Sequence, residues 1–354
     1  MHLLVTGGAG FIGSNFVKGY LARHPLDTII NLDKLTYAGN LENLTELVNN
    51  PRHVFIRGDI KDRRIVHDIF VKYPIQWVVN FAAESHVDRS LITPELFLET
   101  NIVGTQVLLH EALRAWKKLP DDKFDREYRS GVKFLQVSTD EVYGSLDEGG
   151  MFTELTPLAP NSPYSASKAS ADMLVRAYFK TFGLPVNITR CSNNYGPYQF
   201  PEKLIPLIIR KCTKGEKIPV YGDGMQIRDW LYVDDHCLAI EAVLAKGVPG
   251  EVYNIGGNNE KANLEIVRRI FQEMAIPESN ICYVKDRPGH DRRYAIDNSK
   301  IKKELGWSPK YRFEDGMKMT IEWYLHNKAW LNNIESGKYE KFIDLMYTTK
   351  GKKF

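Results

Sequence analysis

The sequence predicts an α/β protein, with a doubly wound parallel sheet and a smaller, mainly C-terminal α/β unit. Three observations carry this expectation. An apolar run closes on Gly7-Gly8-Ala9-Gly10-Phe11-Ile12-Gly13 and leads into an amphipathic segment, giving strand, glycine turn and helix. Short apolar runs and helical spacings then alternate as far as residue 190. The alternation breaks at Cys191-Ser192-Asn193-Asn194-Tyr195-Gly196-Pro197, past which the chain must build something else.

The bulk properties bound the possibilities. A chain of 354 residues exceeds one ordinary core, so two lobes are expected. Its 43% hydrophobic and 26% charged content is that of a soluble globular protein. A net charge of +3 gives no support to a nucleic-acid footprint. The apolar start, Leu3-Leu4-Val5, is too short for a signal-peptide core and no run approaches membrane-spanning length, so a cytoplasmic protein without a membrane partner is expected. Cys191, Cys212, Cys237 and Cys282 form no CxxC pair and the histidines no HExxH pattern, so no metal site is expected and the thiols read as reduced.

In order, strands are expected at 2–6, 28–32, 54–57, 77–81, 132–138 and 186–190, each a short apolar run. Helices are expected at 14–23, at 62–73 with an Asp cap, at 93–116 with an early interruption, and from Pro163, which sits near a first turn. Residues 117–130 read as a surface excursion. Further on, helices are expected at 203–214, 234–246, 263–274 and 298–305, with strands at 218–221 and 252–255, the latter returning to the main sheet. The expected division is 1–192 with 229–256 as a dinucleotide-binding domain, 193–228 with 257–345 as a second domain, and 346–354 as a basic tail.

The glycine turn allows close backbone approach, so a pyrophosphate can rest on free N–H groups at a helix N-terminus. Asp33 follows Gly13 by twenty residues, where a carboxylate accepts from an adenosine ribose and repels a 2′-phosphate; Lys34 beside it weakens that preference for NAD over NADP. Asp59 is placed to face the adenine, and the small residues after Phe81 let a cofactor pass. His86, at the start of the next helix, reads more readily as a capping or hydrogen-bonding residue than as a catalyst. Tyr164 and Lys168 share a helical face, so a cation can lower the phenol pKa and let Tyr164 take a proton from an alcohol as hydride leaves to a nicotinamide. Thr139-Asp140-Glu141 puts two adjacent acids at a strand's end. Alone it reads equally as a polar turn, and both acids can face one substrate only if the strand ends by Thr139.

The block 6–13 with Tyr164 and Lys168 resembles the extended short-chain dehydrogenase/reductase family, a Rossmann-type fold. Within it, Asp33 to Asn40, Glu84 to Ser90, Thr139 to Gly144 and Arg287 to Asp291 resemble the dTDP-glucose 4,6-dehydratases, as far as about residue 330. The resemblance implies a cytoplasmic homodimer with tightly held NAD that converts dTDP-glucose to dTDP-4-dehydro-6-deoxy-glucose in deoxysugar (rhamnose-type) biosynthesis. It implies that Tyr164 serves C4 oxidation, Glu141 removes the C5 proton, Asp140 protonates the departing C6 hydroxyl, and Thr139 orients the C4 oxygen. Implied NAD contacts are Gly7, Gly10, Phe11, Ile12, Gly13, Asp33, Lys34, Leu35, Thr36, Asp59, Ile60, Phe81, Ala82, Ala83, Glu84, Ser85, Thr100, Tyr164, Lys168 and Asn194. Implied nucleotide-sugar contacts are Ser85, Thr139, Asn193, Lys203, Leu204, Pro219, Tyr221, Arg228, Asn263, Arg287 and His290.

Three rival readings stand beside it. A 4,6-dehydratase for another nucleotide sugar differs only in the base it takes, thymidine and uridine being one methyl group apart. A nucleotide-sugar 4-epimerase shares the NAD site and the Tyr/Lys pair but has no elimination to catalyse, so small or hydroxyl residues would suffice at 140 and 141. A non-catalytic NAD-binding sensor leaves all four chemistry-bearing side chains unexplained.

Overall fold

The computed structural model describes residues 1–119, 121–122, 125–147, 149–286 and 290–335. Its strands are β1 (His2–Thr6), β2 (Thr28–Asp33), β3 (His53–Arg57), β4 (Trp77–Asn80), β5 (Lys133–Thr139), β6 (Val186–Cys191), β7 (Asn193–Tyr195), β8 (Ile218–Tyr221), β9 (Ile227–Tyr232), β10 (Val252–Ile255), β11 (Glu260–Ala262) and β12 (Ile281–Val284). Seven of them form one parallel sheet in the order β10-β6-β5-β4-β1-β2-β3. The order reverses between β1 and β4, and the crevice at that switch point is where such sheets receive ligands.

Both faces of the sheet are covered, which is why its strands read as continuous apolar runs. Successive residues of β1 go to opposite sides: Leu3 and Val5 pack with Phe16, Ile240 and Val243, whereas Leu4 packs with Val66, Leu108 and Val175. Helices Phe11–Arg23 and Val233–Lys246 therefore cover one face, and Arg63–Lys72, Thr105–Trp116 and Pro163–Phe182 the other. Asp62 caps helix Arg63–Lys72 through the N–H groups of Arg64 and Ile65, as its sequence suggests. The early interruption expected in 93–116 is a π turn, Leu98–Gly104, between Pro94–Phe97 and Thr105–Trp116. Such turns often mark functional sites.

The smaller lobe contains the antiparallel pair β11-β9 extended by parallel β7, and the parallel pair β12-β8. A third core of Tyr195, Ile208, Trp230, Ile266, Phe271 and Tyr324 holds it to helices Leu204–Thr213, Asn263–Met274 and Phe313–His326. The boundary expected between 228 and 229 falls inside β9. Arg228 and Asp229 fall outside every element expected from the sequence but are buried in a strand, because both are paired internally: the guanidinium donates to the Asp291 carbonyl and the carboxylate accepts from Gly257 and Asn259 N–H. The expected tail at 346–354 lies outside the described residues.

Candidate active site

The glycine turn is held by close backbone contact. Gly7 has φ +70° and donates to the Leu32 carbonyl at 2.9 Å. A Cβ on Gly13 would lie 2.2 Å from the Gly7 carbonyl oxygen, so only glycine lets this helix start so near the turn. Gly10 is the N-cap residue and offers no side chain to the first helical N–H groups, which leaves that end of the helix suited to an anion.

At the end of β2, the buried Asp33 accepts from Ala9 N–H at 2.9 Å and Leu35 N–H at 2.8 Å. Burial raises its pKa, against these two hydrogen bonds. Leu35 (φ 58°) is itself buried and is the one expected cofactor-side residue that stands outside the cleft wall; its backbone serves Asp33 instead. Lys34 Nζ lies 2.9 Å from Asp59 Oδ2. Burial works to raise Asp59, yet its bond to Lys34 carries it below the usual carboxylate range. The lysine that weakened the case for NAD is therefore engaged by a carboxylate.

The cleft, of about 300 Å³, runs from this turn across the ends of β1, β4 and β5. All the other cofactor-side residues named from the sequence line it, including Thr100 of the π turn and Asn194. Next to Thr100, Asn101 accepts from Glu84 N–H and donates to the Glu84 carbonyl and to Ser167 Oγ, at 2.9, 3.1 and 2.8 Å, so one buried amide ties the wall after β4 to helix Pro163–Phe182.

Strand β5 ends at Thr139, and Asp140–Tyr143 turns away as a single 3-10 turn, which meets the condition that both acids leave the strand. Thr139 Oγ1 accepts from Glu141 N–H at 3.3 Å and donates to Asp140 Oδ1 at 3.2 Å. Glu141 stands on the cleft wall, whereas Asp140 is 1% exposed behind it, and its Oδ2 has no hydrogen-bond partner among the described residues. Burial, then the charges of Glu141 and Asp229, push Asp140 well above the carboxylate range against Arg228. At the far end of the turn, Tyr143 OH donates to Asn254 Oδ1 and accepts from Arg190.

Tyr164 and Lys168 share the wall with Thr139 and Glu141. Lys168 Nζ donates to the Val137 carbonyl at 2.7 Å, and its pKa is lowered by burial, which Asp172 opposes. Burial, then Glu141, raise the Tyr164 phenol well above its ordinary value, with a hydrogen bond from Thr139 acting the other way. In the protein alone, burial is the largest influence on the phenol.

Of the residues expected to meet a nucleotide sugar, Ser85, Thr139, Asn193 and Lys203 line the same cleft, with Lys203 Nζ donating to the Ser85 carbonyl at 2.9 Å. Leu204, Pro219, Tyr221, Arg228, Asn263 and His290 stand apart from that wall on the smaller lobe. Several are joined to one another. Asn263 N–H donates to the Gln226 carbonyl, Gln226 to Asp286, and His290 Nδ1 lies 2.6 Å from Asp286 with its ring edge-on to Tyr221. Arg287 lies outside the described residues.

Tyr294 escaped the sequence reading: it is 3% exposed, lies under the Arg228 guanidinium at 4.3 Å, and its pKa is raised by burial and then by Glu141. Cys191, Ser192, Gln199, Phe200 and Glu202 also line the cleft unpredicted. The polar run Cys191 to Asn194 and the neighbour of Lys203 were the available signals. His86 precedes helix Val87–Ile92 without capping it; its Nδ1 has no partner among the described residues and burial lowers its pKa.

The family model described as GDP-mannose 4,6 dehydratase matches residues 4–320. A dTDP-glucose 4,6-dehydratase of Xanthomonas campestris pv. campestris (strain B100) is 56% identical over 345 residues, covering 95% of this chain and 96% of that protein. The crystal structure of dTDP-glucose 4,6-dehydratase from Bacillus anthracis in complex with NAD superposes with a TM-score of 0.85 at 50% identity, covering 94% and 99% of the two chains. The UDP-glucose 4-epimerase of Thermotoga maritima, with UDP-glucose, superposes at 0.83 with 30% identity, covering 93% and 100%. Overall shape thus does not separate the two activities.

Proposed function

The chain belongs to the dTDP-glucose 4,6-dehydratase family, and on that premise we propose that it is an NAD-dependent hydro-lyase converting dTDP-glucose to dTDP-4-dehydro-6-deoxy-glucose for deoxysugar biosynthesis. One observation carries the reading: at the end of β5 a buried Asp140, its pKa raised, adjoins Glu141 on the wall of the cleft that also holds Tyr164. An epimerase has no use for this pair of acids.

The residues present fit NAD. The glycine turn leaves no room for a Cβ at Gly13, Asp33 offers its carboxylate to a ribose, and Lys34 is held by Asp59. When bound, NAD supplies the acceptor and later the donor of one hydride. Tyr164 takes the proton of the C4 hydroxyl, with Thr139 orienting that oxygen. The resulting ketone acidifies C5–H, and Glu141 removes that proton. Asp140, whose pKa burial and like-charged neighbours raise, gives its proton to the departing C6 hydroxyl, which leaves as water. The hydride returns at C6, water reprotonates C5, and Tyr164 and Glu141 release their protons as Asp140 regains one. Lys168 holds Tyr164's helix against β5. Arg228 suits the diphosphate, and Tyr221 offers a flat surface for the pyrimidine base.

The assembly is proposed to be a cytoplasmic homodimer of two-domain subunits. Support comes from an apolar surface on neighbouring helices, where Leu91, Ile92, Leu96, Leu98, Val103 and Met173 are all 46–79% exposed. Among the described residues no helix is long and apolar enough to cross a membrane, and none of the His, Cys, Asp and Glu side chains group as a metal site. A panel of dTDP-, UDP-, CDP- and GDP-hexoses, scored by mass for loss of one water, tests the function. Loss of water from dTDP-glucose ahead of the others supports it; epimerised product of unchanged mass overturns it.

A further inference from the structure

Helix Lys328–Glu335 lies where the resemblance ends, near the close of the second expected domain, and it reaches back to the glycine turn. Trp330, 7% exposed, donates from Nε1 to Asn43 Oδ1 at 2.8 Å. Asn43, 2% exposed, donates from Nδ2 to the carbonyl of Ala9 at 2.9 Å, an oxygen that also accepts from Asn40 N–H. On the other side of the same peptide, Gly10 N–H donates to the Gly7 carbonyl at 3.1 Å. A peptide group is planar, so bonds on both its edges fix its orientation and that of the helical N–H groups following it. The indole in turn is held in an aromatic cluster, 5.2 Å from Trp323 and 6.2 Å from Tyr198. A second bond, Asn333 Nδ2 to Glu42 Oε1 at 3.0 Å, fastens the helix to the same segment.

We infer that Trp330 is a positioning residue for the cofactor, acting through Asn43 on the Ala9–Gly10 peptide to hold the pyrophosphate-binding turn in shape and so prolong the residence of NAD. This rests on the proposed function, in which the hydride taken at C4 is returned at C6, so a cofactor that leaves mid-cycle strands the intermediate. The relay joins three stretches far apart in sequence, and each link is a buried hydrogen bond whose loss leaves a partner unpaired.

The test uses the full-length holoenzyme and labelled NAD, whose release is followed by chase with unlabelled NAD. W330F keeps the aromatic ring and removes the donor. It is expected to release NAD about tenfold faster, as the loss of a buried hydrogen bond implies, while kcat at saturating NAD stays near wild type. N43D keeps the acceptor for the indole but turns an oxygen toward the Ala9 carbonyl, and is expected to release NAD at least as fast. Once Asn43 is changed, adding W330F has no further effect. W323F disturbs the same aromatic cluster without touching Asn43, and is expected to release NAD at the wild-type rate. Release from W330F at the wild-type rate overturns the relay, as does equal acceleration in W323F. Should W330F not fold, N43D decides alone. A wild-type protein that takes up no NAD overturns the functional reading and the relay together, whereas one that holds NAD as long with W330F as without it overturns only the relay.

Discussion

Lys168 donates from Nζ to the carbonyl of Val137 at 2.7 Å, two residues before the Thr139 that ends β5. The helix carrying Tyr164 and the strand end carrying Asp140 and Glu141 are thereby tied together, and the chemistry sits at that seam. The tie is buried, so either partner alone is left unsatisfied in a water-poor site.

Tyr164→Phe removes the only hydroxyl proposed to take the C4 proton. No substrate-dependent NADH absorbance is expected from this variant, and turnover is expected to fall by about 10²–10⁴. A normal absorbance burst would reassign the base.

Glu141 and Asp140 are separable. Glu141→Gln leaves the first oxidation intact, so bound NADH is expected to appear on adding dTDP-glucose while 4-keto-6-deoxy product is nearly absent. Asp140→Asn keeps the side-chain shape and removes the acid, so elimination is expected to slow more for the C6 hydroxyl than for a C6 fluoride. Stopped-flow absorbance with product analysis checks both.

Gly13→Ala puts a methyl where a Cβ meets the Gly7 carbonyl at 2.2 Å, against backbone that cannot swing aside. Loss of NAD from the purified protein is expected, with a smaller fall in the melting temperature of the cofactor-free form. Spectrophotometric NAD content and thermal melts separate the two effects.

Acid lability is expected from His53, whose pKa is lowered by burial from 6.5 to about 4. The unfolded chain binds this proton first, so the native state has its full advantage above pH 6.5 and loses it as the pH falls toward 4. The loss is on the order of 3 kcal/mol across that window. His236, buried and pushed lower still, extends the slope to more acid pH. Denaturant melts of His53→Gln should show a shallower slope between pH 6.5 and 4 than wild type.

The sheet was legible from the sequence because its inner strands are buried on both faces and read as apolar runs: 28–32 was expected and Thr28–Asp33 formed. The smaller lobe was less legible. Asn193–Tyr195 is too short and polar to register as a strand, and β9 hides Arg228 and Asp229 by pairing them with groups remote in sequence. In the site, the glycine turn and the Tyr/Lys spacing are local patterns and were visible. Tyr294 and the Trp330–Asn43 bond depend on contacts across long separations, which no local pattern encodes. Helical spacing put Lys168 near Tyr164, but its bond to the Val137 carbonyl joins groups 31 residues apart and has no local signal.

The central claim is that the two acids turn a hydride-transfer site into an eliminating one without net oxidation. Its most direct test is the product formed in ordinary water from dTDP-glucose carrying deuterium at C4. The expected product has lost one water and carries the deuterium at C6. Product of unchanged composition with deuterium still at C4, or deuterium released to the medium, would contradict it.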